Sequence, residues 1–330
     1  MQFGLRNRRE FVALLSAAAS FAPAVQAQQP AMPVVGYMPA GSLRALRQQV
    51  ASFHEGLRES GFVEGQNVVI EYRSAEGHLD RFPALAADLV RRQVAVLVAT
   101  SVQGALAAKQ ATSSIPIVFS VGGDPVESGL VRSLNRPGGN ITGVYQFTAG
   151  LEGKRLGLLH EMVPKVMTIG VLVNPNFRQS ELQLRDVQQV APSLGVKLIL
   201  VRANAESDFD RAFATLTEQR AGAILVCASP FFNTRREQLI VLTARHSLPA
   251  IYEWRDFPEA GGLMSYGTSL AEAYRQTGVY AGRILKGANP ADLPIVQVTK
   301  FEFVINLSTA KALGIEVPPT LSARADEIIE

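Results

Sequence analysis

Val94-Ala95-Val96-Leu97-Val98-Ala99-Thr100-Ser101-Val102-Gln103 runs apolar for six residues and then turns to small hydroxyl side chains. An unbroken apolar run of that length fits a strand covered on both faces, the situation of a parallel sheet sandwiched between helices. Ala223-Ile224-Leu225-Val226-Cys227-Ala228-Ser229 repeats the scheme far downstream. On either side of these two segments the same kind of run recurs. A first series is expected at residues 34–38, 68–73, 94–100, 115–121 and 141–145. A second is expected at 168–174, 196–202, 223–228, 250–254 and 263–266.

Helical stretches separate the runs. Ser42 is placed to cap a helix reaching Ser60, with Gly61 as its stop and Leu43, Leu46, Val50, Phe53 and Leu57 as one apolar face. Helices are also expected over 180–194, ending at Gly195, and over 269–286, ending at Gly287. The β-α-β alternation therefore occurs twice, with about five strands each time, which predicts an α/β chain of two doubly wound lobes. The length of 330 residues agrees, since single cores stop growing at roughly 250–300 residues. Residues 292–296 and 301–306, followed by a short helix from Ser308, read as chain recrossing between the lobes.

Composition narrows the function. Net charge is +3, and Arg6, Arg8 and Arg9 against Glu10 put part of it in the first ten residues. No basic stripe interleaved with aromatics follows, so nucleic acid is not an expected partner. One cysteine, Cys227, allows neither an intrachain disulfide nor a cysteine metal cluster, and the four histidines are scattered, so no metal is expected. Residues 1–10 are basic, 11–25 are apolar, and Val25-Gln26-Ala27 offers a cleavage site, which makes 1–27 a secretory signal peptide. Asn7-Arg8-Arg9-Glu10-Phe11-Val12 resembles a twin-arginine (Tat) signal, although paired arginines also occur in ordinary Sec signals. No other run of about 18 apolar residues exists. The mature chain is expected in the periplasm, without stable membrane insertion.

In open α/β sheets ligands bind beyond the carboxyl ends of the strands. The candidates there are Tyr37, Thr100, Ser101, Ser120 and Asp124 in the first series, and Asn174, Ser229, Glu253 and Tyr266 in the second. Most are small hydroxyl or amide groups, suited to hydrogen-bonding a polar solute. Tyr37, Phe177, Phe231, Trp254 and Tyr266 offer aromatic walls. The sequence has no Gly-x-Ser-x-Gly elbow and no Walker loop, and Gly122-Gly123 and Gly138-Gly139 form no dinucleotide fingerprint. No catalytic residue and no cofactor are therefore expected, and the chain reads as a binder.

Several motifs form a recognisable set: Gly61-Phe62-Val63-Glu64-Gly65-Gln66-Asn67-Val68, Gly123-Asp124-Pro125-Val126, Pro137-Gly138-Gly139-Asn140-Ile141-Thr142-Gly143, Gly261-Gly262-Leu263-Met264-Ser265-Tyr266-Gly267 and Thr299-Lys300-Phe301-Glu302-Phe303-Val304-Ile305-Asn306-Leu307, with Ala323-Arg324-Ala325-Asp326-Glu327 near the end. Together they resemble the ABC-transporter substrate-binding family that includes tryptophan- and tyrosine-type binding proteins. The resemblance implies a type I periplasmic-binding fold of two Rossmann-like lobes joined by three hinge crossings. These fall near 145–150, 265–269 and 292–298, so lobe one takes 31–148 plus 267–293 and lobe two takes 149–266 plus 294–330. Val298 stands where a proline is expected, within a hinge segment.

The resemblance further implies a permease and an ATPase at the inner membrane as partners, and an amino-acid-like or aromatic solute as ligand. Asp124 or Glu253 would then face an ammonium, and Thr100-Ser101 a carboxylate. Two alternatives stay open at this point: a sensor presenting its ligand to a receptor, and a two-lobed isomerase using Cys227.

Overall fold

The computed structural model describes residues 32–146 and 150–330, so the expected signal peptide lies outside the described residues. The first series of apolar runs forms β1 (Val34–Met38), β2 (Val69–Tyr72), β3 (Val96–Ala99), β4 (Ile117–Gly122) and β5 (Ile141–Gln146). The second forms β6 (Thr168–Val173), β7 (Lys197–Arg202), β8 (Ala223–Val226), β9 (Ala250–Tyr252) and β10 (Met264–Thr268). Three further strands follow, β11 (Val296–Val298), β12 (Phe301–Asn306) and β13 (Glu327–Ile329). The helices of the first half are α1 (Arg47–Glu59), α2 (Phe82–Arg91), α3 (Val102–Ala111), α4 (Glu152–Met162) and α5 (Ser180–Leu194). Then come α6 (Asp208–Glu218), the short α7 (Pro230–Thr234), α8 (Arg236–Arg245), the single turn α9 (Asp256–Glu259), α10 (Leu270–Leu285), α11 (Leu307–Ala312) and α12 (Pro319–Ser322).

The strands make two sheets. The first has the order β2-β1-β3-β4-β5-β11 and the second β7-β6-β8-β9-β10-β12-β13. The first five strands of each follow one winding, with the chain reversing its direction of progress between β1 and β3 and again between β6 and β8. Those reversals are the topological switch points of doubly wound sheets. Burial explains the apolar runs. Val96 and Val98 of β3 pack under α1 and α10 with Phe53, Leu57 and Ala281. Leu97 and Ala99 face the other way, toward Phe82 and Leu89 of α2 and Ala105 of α3. Sheet two is likewise covered on both faces, by α4 and α5 on one side and by α6 and α8 on the other.

The fold is the expected one, two doubly wound α/β lobes, with instructive departures. β12 runs antiparallel to β10. It enters sheet two directly from sheet one and so meets β10 head to tail. β13 is too short to carry a strand pattern in its sequence, and it pairs parallel with β12. β11 belongs to sheet one, with Val296 opposite Val144 and Val298 opposite Gln146. Sheet one therefore reaches Val298 instead of 293, and the third crossing is Thr299-Lys300. β10 stays in sheet two through Thr268, so the second crossing falls at Ser269. β11 is an edge strand whose middle residue, Gln297, is exposed, and such a strand lacks the continuous apolar signature.

α1 starts at Arg47 with Leu46 at its N-cap, four residues later than expected. Ser42 Oγ accepts a hydrogen bond only from Ala45 N, at 3.3 Å, and Leu43 is 37% exposed. The other two helices match their expectation closely. α5 ends at Gly195, whose φ of +67° is cheap only for glycine. α10 is capped by Ser269, whose Oγ accepts from Glu272 N at 3.2 Å.

α10 follows a strand of sheet two yet packs against α1 on sheet one. Two glycines let the backbones touch: a Cβ on Gly56 would lie 1.8 Å from Arg275 O, and one on Gly278 would lie 2.1 Å from Phe53 O.

Candidate functional site

The loops and helix starts beyond the carboxyl ends of both sheets line one cavity of about 770 Å³. Sheet one contributes Gly41 to Gln49 beyond β1, Glu76-Gly77 beyond β2, and Leu270 at the start of α10. Sheet two contributes Pro230 and the residues around the α7–α8 junction beyond β8, and Trp254, Asp256 and Phe257 beyond β9. Hydrogen bonds span the gap between the sheets. Gln48 Nε2 donates to Glu259 Oε1 at 3.2 Å, and Arg178 Nη1 donates to Glu127 O at 3.1 Å.

Charge inside the cavity is concentrated on sheet two. Arg236 Nη1 stands 3.9 Å from Asp256 Oδ1, beyond hydrogen-bonding range. Arg236 Nε is shielded from solvent and has no hydrogen-bond partner. Burial holds the Asp256 carboxyl above its ordinary range, opposed by Arg236 and by a hydrogen bond from the Gln49 side chain, and reinforced by Glu259. Arg235 is committed elsewhere, to Glu206 and the Thr234 hydroxyl.

Two pairs of expected residues sit at the switch points. Asn174 Nδ2 donates to Ser229 Oγ at 3.0 Å, joining the ends of β6 and β8. At the end of β3, Ser101 Oγ accepts from Gly104 N at 3.1 Å and caps α3, while Thr100 hydrogen-bonds Tyr274. Asp124 is the start of a turn, its Oδ1 accepting from Val126 N at 2.6 Å and Glu127 N at 3.3 Å. Ser120 is buried and accepts from Gln146 Nε2 at 2.8 Å. Tyr266 is half-buried and stacks on Phe301, with ring centroids 5.9 Å apart.

Tyr37 belongs to the core. Its side chain points to the face that α1 covers, is 0% exposed, and meets Phe53 and Tyr72 at ring-centroid distances of 4.9 and 5.6 Å. A solute in the gap has no access to it. Glu253 is also buried, with Oε1 unpartnered. Burial pushes its carboxyl up to about 8, Arg155 pulling it down and Glu152 adding to the rise. A neutral, enclosed carboxyl is poorly placed to hold an ammonium ion.

None of the nine expected residues lines the 770 Å³ cavity among the described residues; of the aromatic candidates Trp254 does. Ser229 and Glu253 mark the ends of β8 and β9, and the cavity is lined by the helical turns that follow them. The usable signals are the adjacent Arg235-Arg236 opening α8 and Asp256 opening α9.

Comparison with known proteins agrees with this architecture. The family model described as ABC transporter substrate binding protein matches residues 42–329. The chain is 27% identical over 267 residues to the tyrosine-binding protein of Clostridioides difficile, covering 80% of this chain and 76% of that one. A conserved domain protein from Vibrio cholerae O1 biovar El Tor superposes with a TM-score of 0.77 at 28% identity, covering 90% of this chain and 99% of the other. The ABC domain in complex with L-Trp from Streptococcus pneumonia gives 0.78 at 24% identity, with the same coverage, and so shares the fold. With the family model spanning nearly every described residue, this chain belongs to the ABC transporter substrate binding protein family.

Proposed function

We propose that this protein is the periplasmic solute-binding component of an ABC uptake system, and that it captures a small amino-acid-like or aromatic solute between its two lobes. The observation that carries the reading is the cavity of about 770 Å³ whose walls come from both sheets. A solute touching both walls stabilises the arrangement in which they approach, and lobe closure follows from that differential affinity. Moving such an equilibrium from 1:99 to 99:1 takes roughly 5.5 kcal/mol. Closure turns about the three crossings, and the closed form is the one a permease with its ATPase would recognise. The basic and apolar start of the chain, residues 1–27, fits export through a Tat-like signal. The solute class is supported by the tyrosine-binding relative and by Trp254 in the cavity wall.

Binding without catalysis fits the chemistry. Cys227, the thiol an isomerase would use, is buried. Burial pushes its ionisation well above the ordinary thiol range, with Glu152 adding to the rise, so it is a poor nucleophile. A thermal-shift screen against amino acids and aromatic acids, followed by small-angle scattering, tests the reading. A ligand at 100 times its dissociation constant adds about 2.7 kcal/mol of stability, and the radius of gyration should fall. A tight ligand that leaves the scattering curve unchanged would sink the closure mechanism.

A further inference from the structure

We propose that Arg236 and Asp256 form a zwitterion clamp, the guanidinium taking the carboxylate of an α-amino acid and the carboxylate taking its ammonium group. The proposal rests on the binding reading above and adds to it the residues that select the solute. Three observations carry it. The two side chains line the same cavity and face each other at 3.9 Å, an ion pair without a hydrogen bond. Arg236 Nε is withdrawn from solvent and has no partner, a cost that structures seldom leave uncompensated. Asp256 is hydrogen-bonded by the Gln49 side chain of sheet one, which lines the same cavity, so the pair lies where walls from both sheets meet.

The pairing sets the selectivity. A zwitterion replaces one loose ion pair with two charge-assisted hydrogen bonds. A simple carboxylic acid satisfies Arg236 and sets its own charge against Asp256. A simple amine satisfies Asp256 and is repelled by Arg236. Trp254, Phe257 and Leu270 supply apolar wall for the rest of the molecule. Arg235, fixed by Glu206, leaves the carboxylate role to Arg236.

The test is calorimetric titration of the full chain with the twenty protein amino acids, and with the deaminated acid and decarboxylated amine of each binder. The wild type should bind at least one amino acid and its acid and amine roughly 10- to 100-fold more weakly. Arg236→Gln should weaken the amino acid to a similar degree and close its gap with the amine. Asp256→Asn should close the gap with the acid. Thermal unfolding without ligand checks that both variants are folded, and Arg236→Lys, which keeps the charge, should recover part of the loss. Amino-acid binding that both variants leave unchanged overturns the clamp and leaves the solute-binding reading standing. Binding of acids or amines alone does the same. A chain that binds no member of the panel overturns the clamp, and failure to bind any solute in the wider screen overturns the reading itself.

Discussion

Arg155 Nε donates to the backbone carbonyl of Tyr266 at 2.8 Å, from a side chain that is 0% exposed. The same guanidinium meets Glu152 Oε1 at 2.9 Å, in a pair with no solvent contact. Arg155 lies on α4, just beyond the first crossing, and Tyr266 lies on β10, just before the second. One buried cation therefore ties together the roots of two of the three connections. Arg155→Met keeps the packing of the stem and leaves Glu152 as an uncompensated buried charge. Chemical denaturation should show a loss of about 3–5 kcal/mol. Adding Glu152→Gln to that variant should restore part of it.

Glu253 makes stability depend on pH. Its carboxyl is pushed up to about 8 in the fold, chiefly by burial, and its ordinary value is 4.5. Across that window the folded chain holds a proton that the unfolded chain has released. This contribution is complete below pH 4.5 and is lost as pH rises toward about 8. The unfolding free energy of the wild type should therefore fall between pH 5 and pH 8 by more than that of Glu253→Gln. Parallel pH profiles for the two proteins would refute the assignment.

The contact between α1 and α10 leaves no room for a methyl group. Gly56→Ala would place its Cβ 1.8 Å from Arg275 O, and Gly278→Ala would place one 2.1 Å from Phe53 O. The helices must move apart in either case, at a cost of about 1–3 kcal/mol or more. Thermal unfolding should show both variants markedly less stable. Gly157→Ala, inside α4 with nothing within 4 Å of the new atom, is the control and should be at least as stable as the wild type, since alanine is the better helix former.

Cys227 should resist thiol reagents in the native protein. Its side chain is enclosed in the core between α4, α5 and the strands of sheet two. Labelling by iodoacetamide should stay near zero in buffer and reach one group per chain in denaturant. Cys227→Ser should keep solute binding, at a modest cost in stability from the buried hydroxyl. Rapid native labelling would revive a role for the thiol.

Burial on two faces writes a long apolar run, so β3, β4, β6 and β8 are legible in the sequence together with the double winding they build. α5 and α10 are legible because Gly195 and Gly287 stop them and one face of each is apolar. β11 and β13 lie at or near sheet edges, where half the residues face outward and the run is broken. The site is harder to read. Asn174 and Ser229 can be found because a strand end is visible in sequence, and the two do meet. Tyr37 misleads because the face to which a strand residue points depends on the register of its neighbours. Arg236 and Asp256 escape because their place in the cavity depends on how far two helical turns project beyond the sheet.

The order of segments along the chain has a consequence for its biogenesis. Sheet one uses residues from β1 to β5 and then waits for β11, and its helix α1 waits for α10, which lies beyond ten strands. During synthesis the amino-terminal lobe therefore emerges with one flank bare and stays incomplete until nearly the whole polypeptide has left the ribosome. A chain broken off after β10 would leave the apolar side of α1 uncovered, a surface that invites aggregation or capture by a chaperone. Completion of the first lobe therefore waits on segments made after most of the second.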